Sequence, residues 1–323
     1  MQTPGRRHGA LTRGPASSDG FTFVQLADPQ LGMMASFKEI WWVDTVRTIT
    51  CQLFDPPIPV DTSPALPFED IYALEVQHSE RAVDAINGLS PTPAFAVVCG
   101  DLVHAYPGHD LNPQQIADFK RIFSRVRPEV PLVCLCGNHD IGDRPTPTAI
   151  AMWRDEYQTE DYFTFWVQDT KFVVLNTQLW KDGSDAVESA EAQNEWMRAL
   201  VEETQREHPS RVITLSHIPP FIETADEPDG YFNLETTIRK RLLSQLSSIG
   251  CDAWFCGHYH RNAGGVYDGE RPLEVVISSA VGATLTNKTD GSDIRGLKGM
   301  NTVGLDMKTS GIRLVNVGPR SYA

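Results

Sequence analysis

Short apolar runs that stop on a glycine or a metal-binding side chain set the rhythm of this chain. Residues 21–27 are almost wholly apolar and end at Asp28; 94–99 end at Gly100-Asp101, and 130–136 at Gly137-Asn138. In the second half, 211–216 deliver His217 and 252–256 deliver Gly257-His258. Runs this short and rich in Val, Phe and Cys predict strands buried on both faces, the habit of parallel sheets covered by helices.

Helical spacing fills the intervals. Ile71, Leu74, Val83 and Ile86 place one apolar face on a helix over 69–88, with Gly88 as its C-cap. Helices are also predicted over 113–125, 188–207 and 236–248. A hairpin joins 162–167 to 172–176 around Gln-Asp-Thr-Lys, and strands close the chain at 273–280, 301–307 and 312–317. No internal repeat or linker divides the pattern. It predicts one α/β domain over 21–323, with two sheets packed face to face and helices outside. Residues 1–20, with their Gly and Pro, read as a disordered tail. The Trp- and Pro-rich stretch 31–68 reads as an insertion near the site. There, Trp41 and Trp42 either stack on a substrate or cover the core, and their large apolar area favours the core.

Composition narrows the function. A net charge of −14 argues against a nucleic-acid backbone binder, and no apolar run is long enough to span a membrane. Of the six cysteines, Cys99, Cys134, Cys136 and Cys256 lie inside strand runs, where the thiol acts as a small hydrophobe. Their spacing fits neither a disulfide scaffold nor a zinc framework, so a reducing, cytoplasmic compartment is expected.

Asp, Asn and His are ligands of divalent metals, and strand ends are where α/β proteins build sites. A two-metal hydrolase holds its ions about 3.5–4 Å apart, usually through one shared carboxylate. Glycine directly before a ligand permits a tight turn and close backbone approach. His258 and His260 alternate about Tyr259, so in an extended segment both would face one side. One position departs from the series: Gln30 stands where a second ligand after Asp28 is expected.

In this order the blocks Asp28-Pro29-Gln30, Gly100-Asp101, Gly137-Asn138-His139-Asp140, His217 and Gly257-His258-Tyr259-His260 resemble the calcineurin-like metallophosphoesterase superfamily. The resemblance implies a four-layer α/β/β/α sandwich with two mixed β-sheets and a binuclear site. By it, Asp101 bridges two divalent ions (Mn, Mg, Fe, Zn or Ca). Asp28, Gln30 and His260 hold the first ion; Asn138, His217 and His258 hold the second. His139 protonates the leaving alkoxide and Asp140 orients His139. The stretches LADPQLG, VVCGDLVHAYPG, CGNHDIGDRPT, SHIPPF and CGHYHRNAGG are similar to a cytoplasmic Ser/Thr phosphoprotein phosphatase subgroup that carries the same D-P-Q. The neutral carbonyl of a glutamine suits Mg²⁺, Mn²⁺ or Ca²⁺ better than Zn²⁺.

The implied activity is phosphomonoester hydrolysis on a phosphoprotein or a small phosphoester. Two alternatives remain: a phosphodiesterase acting on cyclic nucleotides, and a catalytically weak metal-binding scaffold docking partners through the insertion. His104, Arg144 and Arg261 are candidate substrate contacts. Against each stands a plainer reading, a loop that leaves the site for His104 and surface ion pairs for the arginines. His8, His78, His109 and His208 are read as non-functional, the acidic 226–229 as a solvated loop, and Asn262 as shaping the loop that positions His260.

Overall fold

Alternation along the strands sorts the buried side chains into three apolar layers. The computed structural model describes residues 11–15, 17, 19–40, 68–282, 300–304 and 311–318. One sheet runs β10-β11-β1-β2-β3. It is built from β1 (Phe21–Leu26), β2 (Ala96–Cys99), β3 (Leu132–Leu135), β10 (Met300–Gly304) and β11 (Ile312–Val317). Strands β1, β2 and β3 are parallel, whereas β11 is antiparallel to both β1 and β10.

The other sheet runs β4-β5-β6-β7-β9-β8. Its strands are β4 (Phe163–Val167), β5 (Thr170–Val174), β6 (Arg211–Leu215), β7 (Cys251–Cys256), β8 (Ala263–Asp268) and β9 (Pro272–Ile277). Parallel β5, β6, β7 and β9 are flanked by antiparallel edges β4 and β8. Both sheets are therefore mixed.

Phe23, Val97 and Val133 meet Phe172, Ile213 and Phe255 between the sheets. Their strand neighbours Val24, Val98 and Cys134 point the other way. They pack on Ala82, Phe119 and Trp153 of α2 (Phe68–Gly88), α3 (Asn112–Phe123) and α5 (Pro147–Tyr157). Val212, Trp254 and Val275 cover the opposite face with Met197 and Leu243 of α7 (Val187–Glu207) and α8 (Thr236–Ser248). The result is the α/β/β/α sandwich that the sequence implies.

Several elements escaped the sequence pattern. Helix α5 opens on a Thr146 cap, whose hydroxyl accepts the Ala149 N–H, with a proline in its first turn, a local start signal that outweighs its weak apolar periodicity. Strand β8 is glycine-rich and half-exposed, so alternation is hard to see, yet it pairs along the whole of β9. Short helices α4 (Asn138–Ile141) and α6 (Gln178–Asp182) are too short to show a periodic face, and α1 (Met33–Ile40) lies within the stretch that reads as an insertion. The β4–β5 hairpin turns on Gln168 and Asp169 alone, Gln168 taking a left-handed φ of 52°.

Part of the predicted tail is seated on that hairpin. Leu11 packs against the inter-sheet layer, and the Arg13 guanidinium lies 4.5 Å over Trp166 and 2.8 Å from Asp169. Of the predicted insertion, 41–67 lie outside the described residues, Trp41 and Trp42 with them. Among the described residues no helix is long and apolar enough to cross a membrane.

The carboxyl ends of β1, β2 and β3 meet those of β6 and β7 at one rim of the sandwich. All five ligand-bearing segments begin there.

Candidate metal centre

The strands stop abruptly because the residues after them leave extended geometry. Asp28, Gln30, Asp101, His258 and His260 all have φ between 36° and 67°, in the left-handed region. They are five of the eight non-glycine residues so described. Such backbone costs about 1–3 kcal/mol per residue and collects at functional sites. Hydrogen bonds hold it: Asp28 N–H donates to the Gly100 carbonyl and Gln30 N–H to that of Asp101. His258 and His260 are thus not on an extended segment, as alternation suggests. Left-handed turns after β7 bring both inward.

Around Asp101 the candidates converge. Its Oδ2 lies 3.3 Å from His217 Nε2, which is 3.1 Å from Asn138 Oδ1 and 3.1 Å from His258 Nδ1. Ligand atoms of Asp101, His217 and His258 all fall within 4.8 Å of one another. Asp28 is fully buried; its Oδ1 lies 3.4 Å from His260 Nε2 and 4.0 Å from His217 Nδ1. Gln30 is 3% exposed, and its Oε1 has no hydrogen-bond partner among the described residues. An unsatisfied buried carbonyl is costly unless something else meets it.

The imidazoles are turned for ligation. His217 Nδ1 donates to the Cys99 carbonyl at 2.8 Å and His258 Nε2 to the Tyr231 carbonyl at 3.3 Å. A carbonyl can only accept, so each bond places a proton on the far nitrogen and turns the near nitrogen toward the cluster. Burial opposes charge on His217, but the carboxylate of Asp101 beside it, helped by Asp28, outweighs burial and lifts its pKa to about 9. Burial would likewise raise the Asp101 carboxyl, yet the His217 and His139 charges hold it below its ordinary range. A site whose carboxylates attract a proton this strongly will also attract a cation. Burial, then the His217 charge, keeps His258 well below the usual histidine range.

Two glycines make the approach possible. A Cβ on Gly137 would sit 2.2 Å from Asp101 Oδ1 and 2.5 Å from its backbone N; one on Gly257 would sit 2.6 Å from Asp28 Oδ2. Gly137→Ala should therefore lower stability by roughly 1–3 kcal/mol, as overpacking does, and displace Asp101. Thermal melting with metal titration checks this; unchanged melting and metal uptake would refute it.

His139 is 9% exposed and lies between two rings, His104 at 4.7 Å and Tyr106 at 4.6 Å. Its backbone N–H donates to Asp101 Oδ1 at 2.9 Å, and its Nδ1 donates to the His104 carbonyl. The orienting contact expected from Asp140 is made by that carbonyl instead. Asp140 accepts the N–H groups of Gly137 at 2.7 Å and Leu102 at 3.0 Å, tying the β3 loop to the β2 loop. Its position at the third residue of α4 lets it cap that turn, so its carboxylate faces backbone rather than imidazole. Burial, then the Asp101 charge, raises its pKa well above the carboxylate range.

The predicted substrate contacts divide. His104 stays at the site, with Nδ1 3.4 Å from Gln30 Nε2 and Nε2 2.9 Å from Ser36 Oγ; burial, then the His139 charge, drops its pKa to about 3. Arg144 turns away to Asp185 at 2.8 Å, Asp182 and Ser184. Arg261 lies 5.1 Å over the Tyr259 ring. For Arg144 this is the surface ion pair, half-exposed and of little energetic weight. Arg144→Ala should leave kcat/KM within about twofold and stability within about 0.5 kcal/mol. A tenfold fall in kcat/KM would restore the phosphate-clamp reading.

The rim is built from residues that no sequence motif marks. Tyr106 donates to Asp143 at 2.8 Å; Asp143 and the Tyr231 hydroxyl take Asn138 Nδ2 at 2.9 and 3.2 Å. The acidic loop carrying Tyr231 is ordered rather than merely solvated. Glu227 accepts the N–H groups of Ile222, Glu223 and Thr224, and buried Arg239 bonds the Glu227 carbonyl and Asp229. Asn262 accepts the N–H of Ser279, whose hydroxyl bonds the His260 carbonyl, in keeping with a loop-shaping role. His78 bonds the Gly282 carbonyl, and His208 takes a left-handed φ at the end of α7.

The chain has counterparts among known proteins. Residues 22–262 match the family model described as calcineurin-like phosphoesterase.

The chain belongs to the calcineurin-like phosphoesterase family.

It is a metal-dependent phosphoester hydrolase of that kind. A Danio rerio protein named serine/threonine-protein phosphatase CPPED1 is 40% identical over 274 residues, 85% of this chain and 80% of its own length. The Mus musculus protein of that name is 38% identical over 271 residues, 84% of this chain and 78% of its own. Among solved structures, a dimetal phosphatase from Danio rerio matches 81% of this phosphoesterase and 88% of its own chain, with a TM-score of 0.50 at 15% identity. PhoD matches 95% and 64%, with a TM-score of 0.52 at 10% identity. At those identities the likeness is one of fold.

Proposed function

We propose that this phosphoesterase removes phosphate from serine or threonine side chains of proteins, with two divalent ions held between the strand ends. The observation that carries this reading is the orientation of His217 and His258. Each has its outer N–H on a backbone carbonyl and its inner nitrogen beside the Asp101 carboxylate. The donor set fits two ions. Asp28, Gln30 and His260 would hold the first, and Asn138, His217 and His258 the second, with Asp101 serving both. Gln30 Oε1, otherwise unsatisfied, gains a partner in this arrangement. Bound divalent ions polarise phosphoryl oxygens and make a water nucleophilic near neutral pH.

The chain's own groups supply the rest. With its Nδ1 proton on the His104 carbonyl, His139 has Nε2 to hold and deliver a proton to the leaving oxygen. Asp140 fixes the spacing between the Asp101 and His139 loops through Gly137 and Leu102. The half-exposed Tyr106 and Tyr231 flank the rim. A net charge of −14 disfavours nucleic acid as substrate. Neutral oxygen from Gln30 favours Mn²⁺ or Mg²⁺ at the first position. A cytoplasmic setting accords with the five buried free cysteines among the described residues.

Parallel assays of a phosphoserine peptide and cyclic AMP test the reading. Metal-dependent phosphate release should be faster from the peptide and stop with a chelator. Preference for cyclic AMP would favour a phosphodiesterase, and absence of turnover with fewer than two ions bound would favour a scaffold.

A further inference from the structure

Around Gln30 a chain of hydrogen bonds has only one direction open to it. The Met33 carbonyl can only accept, so the Ser36 hydroxyl 2.7 Å away must donate to it. Ser36 Oγ then accepts from His104 Nε2 at 2.9 Å, which places the ring proton on that nitrogen. His104 Nδ1, left with a lone pair, accepts from the Gln30 amide nitrogen at 3.4 Å. A flipped Gln30 would set its carbonyl oxygen against that lone pair, acceptor against acceptor. The series therefore selects one amide orientation, with Oε1 buried and directed away from His104. The loop that carries the series is itself braced. Glu75 of α2 accepts the N–H groups of Gly32 at 3.0 Å and Met34 at 2.7 Å, and Gln115 accepts those of His104 and Ala105.

We propose that His104 is a positioning residue whose ring, fixed by Ser36, holds the Gln30 carbonyl oxygen toward the first metal ion. A glutamine amide is nearly symmetric in shape, and only its oxygen can ligate. A ligand position occupied by Gln thus needs a neighbour that tells oxygen from nitrogen, and a single-tautomer imidazole does so. The inference rests on the two-ion reading above. Outer partners of ligands typically contribute about 10–100-fold to metal affinity.

Titration of the metal-free full chain with Mn²⁺ by calorimetry tests this, with melting curves as the folding control. Gln30→Ala identifies the first ion as the one whose affinity falls. His104→Phe keeps a ring against His139 and leaves the backbone carbonyl in place; it should weaken that same ion about 10–100-fold and spare the other. In a Gln30→Ala background, His104→Phe should weaken it no further. An equal loss in both backgrounds, or unchanged affinity in the single variant, overturns the inference. If His104→Phe fails to fold, Ser36→Ala decides: a selective loss at the first ion supports the inference, and unchanged affinities overturn it. Wild-type protein that binds fewer than two ions would instead overturn the two-ion reading, and this inference with it.

Discussion

Asp101→Asn is expected to abolish metal-dependent hydrolysis while leaving the protein folded. Asparagine keeps the shape of aspartate, and its carbonyl can still accept the His139 N–H that Asp101 Oδ1 accepts at 2.9 Å. Its amide nitrogen would then take the place of Oδ2, 3.3 Å from His217 Nε2. A donor there faces the ligand atoms and offers a cation nothing, and the charge both ions would share is gone. Removing a preorganised electrostatic contact typically costs about 10²–10³ in rate. Loss of a group serving two ions should reach at least the upper end. Activity on p-nitrophenyl phosphate, ion content and melting temperature should be measured together. Full metal-dependent activity in the folded variant would sink the binuclear reading.

His139→Gln should divide substrates by their leaving group. Proton transfer by a positioned side chain is worth about 10²–10⁴ in rate. That loss is expected in kcat on a phosphoserine peptide, whose alkoxide must be protonated to leave. p-Nitrophenolate departs without a proton, so its hydrolysis should fall far less. The contrast follows from the His104 carbonyl, which fixes the Nδ1 proton and assigns the transfer to Nε2. Equal losses on both substrates would show that His139 positions the site rather than donating a proton.

Much of this was legible because the informative letters sit at strand ends. Val97, Val133 and Phe255 sit in short apolar runs buried on both faces, and such runs mark the strands of two helix-covered sheets, while period-two geometry decides which layer each side chain enters. Strand β8 was not legible, because two of its six positions are glycine and Val266 lies on the exposed face, so its alternating burial is not matched by alternating residue types. Asp140 shows the limit at the site. Its residue type suited a partner for His139, but at the third position of a short helix its carboxylate lies nearer to backbone N–H groups. Arg144 shows another, for a guanidinium pairs with whichever carboxylates the fold puts within reach, and here these are Asp182 and Asp185. The Tyr231 hydroxyl meets Asn138 across 93 residues of chain, a distance no local pattern spans.

By itself the sequence determined the inventory of candidate ligands, their order, and their place at the ends of buried strands. The tertiary structure decided which atom of each side chain faces the centre. The reason is physical: imidazole and amide groups are oriented by the partners of their outer atoms. For the three imidazoles those partners, at Cys99, Tyr231 and His104, are backbone carbonyls. A backbone carbonyl is the same in every residue, so only the folded chain can say where it stands.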